Sequence, residues 1–128
     1  MLKNQKSIHF TGGLESSRVT SKIAEELRGL RIKELWLACD YHNALKPLKI
    51  AVEKLKRVGF TRNHLRCYCL IGKDMNEEES RLREIWDIGC IPFAQLYRDR
   101  ENTINYSKEW KRFQRMWSRP AIMRFITR

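Results

Sequence analysis

Apolar residues fall along this chain in two alternating patterns. Short strand-like blocks lie at 6–10, 34–39, 65–71 and 92–97. Between them Val19, Ile23, Ala24, Leu27 and Leu30, then Leu48, Val52 and Leu55, then Leu82, Ile85 and Trp86 recur at helical intervals. The punctuation fits the same alternation. Thr11-Gly12-Gly13 predicts a turn after the first block, and Ser16 or Ser17 is placed to cap a helix running to about Leu30, with Gly29 beginning its stop. Asp40 ends the second block. A helix over 45–58 tolerates Pro47 in its first turn and stops at Gly59. Residues 72–74 read as a loop. Asn76 is the expected cap of a third helix, whose first turn carries Glu77, Glu78 and Glu79 in accord with the helix dipole. Gly89 ends that helix, 99–105 reads as a loop, and a last helix spans about 106–117 before Pro120 breaks or restarts it.

The resulting order, β-α-β-α-β-α-β-α, demands parallel strands with right-handed crossovers. It is satisfied by an open doubly wound sheet or by a (β/α) barrel. Four consecutive β/α units amount to half of an eight-stranded TIM-type barrel. The expectation is an α/β fold of one domain over 1–128, with a basic helical segment over 106–128. Strand alternation puts Leu35, Leu37, Cys39, Cys67, Cys69 and Ile71 under the helices, and Trp36, Ala38, Asp40, Arg66, Tyr68 and Leu70 on the lumen or cleft side. His9 points the same way, as a scaffold residue or a site residue.

Ligands of parallel β/α proteins bind at the carboxyl ends of the strands. That directs attention to 11–15, 40–43, 72–74 and 98–100. Gly12 and Gly13 let a backbone approach a ligand closely or form a tight turn. Glu15 and Arg18 follow at a helix start that favours anions. Asp40 and Gly72 end the second and third strands. Arg66 and Tyr68 complete the expected site.

The net charge of +11 is uneven: residues 108–128 hold seven Lys/Arg against one acid, Glu109. Such a tail suits nucleic acid or an anionic cofactor, or is a solvated helix face that packs on another part of a longer chain. The four cysteines, Cys39, Cys67, Cys69 and Cys90, contain no C-x-x-C pair. They are expected as small core residues; the competing possibility, metal held by Cys67 and Cys69, lacks a third ligand at a suitable spacing. No apolar run reaches the roughly 18 residues of a membrane span, and residues 1–6 carry no secretory pattern, so a cytoplasmic protein without membrane contact is expected.

Several stretches together resemble the C-terminal half of a radical S-adenosylmethionine (SAM) enzyme. They are Phe10-Thr11-Gly12-Gly13-Leu14-Glu15-Ser16-Ser17-Arg18, Leu37-Ala38-Cys39-Asp40, Arg66-Cys67-Tyr68-Cys69-Leu70-Ile71-Gly72-Lys73-Asp74 followed by Glu77-Glu78-Glu79, Pro92-Phe93-Ala94-Gln95-Leu96-Tyr97-Arg98, and Trp117-Ser118-Arg119-Pro120-Ala121-Ile122 within a 110–125 tail. The likeness extends over about residues 7–125. It implies SAM and a [4Fe–4S] cluster as cofactors, with Gly12, Gly13, Glu15, Arg18, Asp40 and Gly72 bordering the cofactor region and the glycine-bearing strand end packing on the adenine. The family's cluster sits on C-x-x-x-C-x-x-C, and that motif does not occur in these 128 residues. The expected function is therefore a partial radical SAM-like protein of the Fe–S oxidoreductase type, inactive without a cluster-binding half. The alternative is a non-catalytic α/β module that homodimerises through open sheet edges or binds nucleic acid through its tail.

Overall fold

A computed structural model describes residues 8–30 and 32–127, with backbone alone for 8–14. The fold is mixed α/β with an open parallel sheet. Strands β2 (Ile32–Ala38), β3 (Leu65–Ile71) and β4 (Ile91–Leu96) pair in continuous parallel register, and β1 (Ile8–Leu14) extends the sheet beside β2, giving the order β1-β2-β3-β4. Between them run α1 (Ser21–Arg28), α2 (Leu45–Arg57) and α3 (Met75–Ile88), and α4 (Lys108–Met116) and α5 (Pro120–Ile126) close the chain.

One face of the sheet meets the helices. Leu35, Leu37, Cys39, Cys67, Cys69, Ile71 and Ala94 are buried there against Ala24 of α1, Leu48, Ala51, Val52 and Leu55 of α2, and Leu82 and Ile85 of α3. This is the sorting that strand alternation predicts, and sequential strands with right-handed crossovers bring the three helices to one side. The opposite face carries Trp36, Tyr68 and Phe93. Trp36 stacks on Tyr68 at 4.3 Å between ring centroids and meets Phe93 edge-on at 5.5 Å.

Several boundaries differ from the sequence expectation. The first strand continues through Gly12 and Gly13 to Leu14 where a turn is expected. Between its contacts Phe10↔Leu35 and Leu14↔Leu37, β1 advances four residues while β2 advances two. The glycines thus lie in an irregular, bulged stretch that keeps its place beside β2. Residues 6 and 7 of the expected first strand lie outside the described residues, as does the side chain of His9. Ser16 and Ser17 enter a single 3-10 turn, and the cap of α1 is Thr20, whose hydroxyl accepts from Ile23 N at 3.1 Å. Val19, buried between the two, accepts at its carbonyl from Lys54 of α2, which holds this junction in place. Asp74 rather than Asn76 caps α3, accepting from Glu77 N at 3.2 Å. Ser107 caps α4 by accepting from Trp110 N at 3.3 Å, so that helix starts two residues later than expected.

The tail covers the outer edge of β4. Ala94 N donates to the Trp117 carbonyl at 2.9 Å, and Gln114 Nε2 donates to the Ala94 carbonyl at 3.5 Å. Alternate residues of a parallel strand face opposite neighbours. Tyr97 N donates to Ile71 of β3, so Pro92, Ala94 and Leu96 face outward, and Pro92 has no N–H to offer. Trp117, Phe113 and Met123 pin the tail in the core.

Candidate functional site at the carboxyl ends of the strands

The ends of β2 and β3 leave carbonyls and amides that sheet pairing does not use, and side chains of α3 satisfy them. Arg81 is buried although charged; its guanidinium donates to the Leu70 carbonyl at 3.0 Å and to the Cys39 carbonyl at 3.4 Å, so it bridges the two strands. Its Nε lies 3.7 Å from Glu77, one helical turn earlier. Glu78 is also buried and accepts from Gly72 N at 3.0 Å and Lys73 N at 3.1 Å. Asp40 accepts from Leu70 N at 2.9 Å. A carboxylate, a guanidinium and a second carboxylate thus tie two strand ends into one polar network. Charge-assisted bonds of this kind are stronger than neutral ones.

Gly72 forms the corner. Its φ of +128° is one that side-chain-bearing residues rarely adopt, and a Cβ there would lie 2.7 Å from the Tyr106 hydroxyl. Tyr106 in turn donates to the Tyr97 carbonyl at 2.5 Å. Burial, and next the charge of Glu78, push the Tyr106 phenol above its ordinary pKa. Beyond β4 the chain turns through Asp99, whose carboxylate accepts from Thr103 N at 2.6 Å and from the Thr103 hydroxyl. The hydroxyl bond is the main reason the Asp99 carboxyl is held below its ordinary pKa. Arg98 donates to Asn102 Oδ1 at 3.1 Å. An open cleft of about 470 Å³ remains here, with Arg98, Asn102, Asn105, Tyr106, Lys111 and Gln114 in its wall.

The structure joins Asp40 and Gly72 through Leu70, Arg81 and Glu78. Gly12 and Gly13 lie within β1. Glu15 and Arg18 pair with each other at 2.9 Å on the surface, and among the described residues no bond ties them to Asp40 or Gly72. Arg66 belongs to the other end of the sheet, because it lies opposite Trp36 and the first residue of β4 and bonds Glu34 and the Asn63 carbonyl. Tyr68 lies in mid-strand against Trp36. Glu78, Arg81 and Tyr106 are absent from the sequence-based site. A hint lies in the run Glu77-Glu78-Glu79, which the sequence reading takes as a match to the helix dipole and as part of the resemblance.

A [4Fe–4S] cluster does not fit the cysteines present. All four thiols are buried. Burial pushes Cys39 and Cys69 up to about 12, and it raises Cys67 strongly, with Cys90 beside it adding to the effect. Iron needs thiolates, which these positions disfavour. Among the described residues no group of three His, Cys, Asp or Glu is placed to hold a metal ion. SAM does not fit Gly72 as the resemblance implies: Tyr106 covers its Cβ side, and Glu78 already takes the Gly72 and Lys73 amides. No helix among the described residues is long and apolar enough to cross a membrane. Compared with protein-family models, with curated proteins and with solved structures, the chain gives no match.

Proposed function

We propose that this chain is one wall of a radical SAM-type partial (β/α) barrel, a half barrel of four β/α units that is completed at its β1 border and stays open at β4, where the tail covers the strand, and that serves in the cytoplasm as part of an Fe–S oxidoreductase and is inactive alone. The observation that carries the proposal is the sequential parallel sheet whose strand ends converge on the Asp40–Arg81–Glu78–Gly72 network. In a barrel, that end is where substrates meet the protein. The Trp36–Tyr68–Phe93 face then lines the lumen, and Arg81 and Glu78 keep the rim rigid. Cluster and SAM belong to a separate wall carrying the three-cysteine motif, since the cysteines and the Gly72 corner here do not suit them.

The test joins this chain to the polypeptide encoded immediately upstream, followed by anaerobic reconstitution with iron and sulfide. Cluster absorption together with SAM cleavage to 5′-deoxyadenosine is expected. A joined protein that folds yet forms no cluster would sink the proposal. Light scattering of the chain alone separates the alternative: a dimer at every concentration favours a non-catalytic homodimerising module, and a monomer favours the wall of a larger enzyme.

A further inference from the structure

The outward side of α4 holds Lys108, Lys111, Arg112 and Arg115 at i, i+3, i+4 and i+7, which aligns them along one face. The opposite side is anchored by Phe113 and the half-buried Trp110. The four cations and Gln114 line an open concavity of about 440 Å³ whose wall includes no acid. Four arginines elsewhere sit in ion pairs: Arg18 with Glu15, Arg66 with Glu34, Arg81 with Glu77 and Arg83 with Glu79. Among the described residues, none of the four on α4 has an ion-pair partner. Lys111 and Gln114 also belong to the cleft beyond β4, where Arg98, Asn102, Asn105 and Tyr106 form the wall. The two concavities therefore make one strip, cationic on the helix and amide-lined with an aromatic wall at the strand end.

We propose that this strip binds single-stranded nucleic acid, with phosphates along α4 and a base in the cleft beyond β4. Four aligned cations suit a run of phosphates. Amides offer both donors and acceptors to a base edge, and a tyrosine ring offers a stacking surface. A base held in a duplex cannot leave its stack to enter such a cleft without added cost, so an unpaired strand fits best. A lipid surface fits poorly, because α4 turns its aromatic residues inward and presents no apolar side with its cations. The inference stands apart from the barrel proposal, and its test needs no cluster-binding half.

The test is fluorescence anisotropy of a labelled mixed-sequence single-stranded DNA, the matching RNA and the matching duplex, over a range of salt. Both single strands are expected to bind more tightly than the duplex, with a slope of log affinity against log salt of about −3, from roughly −0.7 per phosphate neutralised and four cations. The variant K108Q/K111Q/R112Q/R115Q changes exposed side chains only, and circular dichroism checks that it stays folded. It should lose at least about tenfold in affinity and most of the slope. The variant K22Q/K33Q/K46Q/K49Q removes the same charge from other exposed positions and should bind within about twofold of the parent. Equal loss in both variants would reduce the effect to net charge and overturn the proposal. So would tighter binding of the duplex or of heparin, or no binding at low salt.

Discussion

Replacing Gly72 by alanine tests whether the corner of the strand-end network is built by the fold itself. Two separate costs are expected. The φ of +128° strains any residue with a Cβ, at about 1–2 kcal/mol. The new methyl would also lie 2.7 Å from the Tyr106 hydroxyl and 3.1 Å from its ring. Tyr106 must then withdraw and release the Tyr97 carbonyl, a loss of about 0.5–1.5 kcal/mol. Gly72→Ala should therefore destabilise the protein by about 2–3 kcal/mol. At urea slopes of about 1–3 kcal/mol/M, the unfolding midpoint moves down by about 0.7–3 M. In a Tyr106→Ala background only the backbone strain is left, so the same substitution should cost about 1 kcal/mol less. Urea unfolding of the four proteins, followed by tryptophan fluorescence and circular dichroism together, supplies the cycle. An equal cost in both backgrounds would refute the Tyr106 contact, and a neutral Gly72→Ala would refute the corner altogether.

The neighbouring charges give further expectations. Glu78→Gln leaves one of the two amide donors, Gly72 N or Lys73 N, facing an NH2 group and should cost about 1.5–3 kcal/mol by urea unfolding, whereas Glu79→Gln at an exposed ion pair should cost under about 0.5 kcal/mol. Arg81→Lys should cost about 2–4 kcal/mol, because a single ammonium cannot reach the Cys39 and Leu70 carbonyls as a guanidinium fork does; a Lys variant as stable as the parent would contradict the bridge. Burial lifts Cys39 and Cys69 from an ordinary 9.0 to about 12, so the native state favours neutral thiols. Their contribution is complete below about pH 9 and is lost as the pH climbs toward 12, at up to about 1.4 kcal/mol per pH unit per thiol. Urea midpoints at pH 7 and 10 should differ accordingly, and the difference should shrink in Cys39→Ala/Cys69→Ala. At neutral pH the same thiols should resist iodoacetamide until the protein is unfolded.

Much of the scaffold is legible in the sequence, and the site much less. Strand β3 has the limits its apolar run implies, Leu65–Ile71, and the helix-facing cysteines follow from period-two alternation. The start of the chain resisted because two local signals competed: serines at 16 and 17 offer a cap, yet the burial of Val19 against α2 leaves the true cap to Thr20. The polar network resisted for a different reason. Periodicity assigns charged positions of a helix to solvent, and Glu78 and Arg81 are charged. They turn inward because the ends of β2 and β3 present backbone groups that only a long polar side chain can reach. Tyr106, Gly72 and Tyr97 meet through contacts distant in sequence, which spacing alone does not reveal.

The bond between Ala94 and Trp117 also limits how copies of this chain can add to one another. Because the tail occupies the middle of the β4 border and Pro92 lacks a donor, strand addition among the described residues is left with the β1 side. Two molecules meeting through β1 run antiparallel about a twofold axis and then have no second border to extend from. Sheet growth by this route halts at a pair, because the C-terminal helices close the other border.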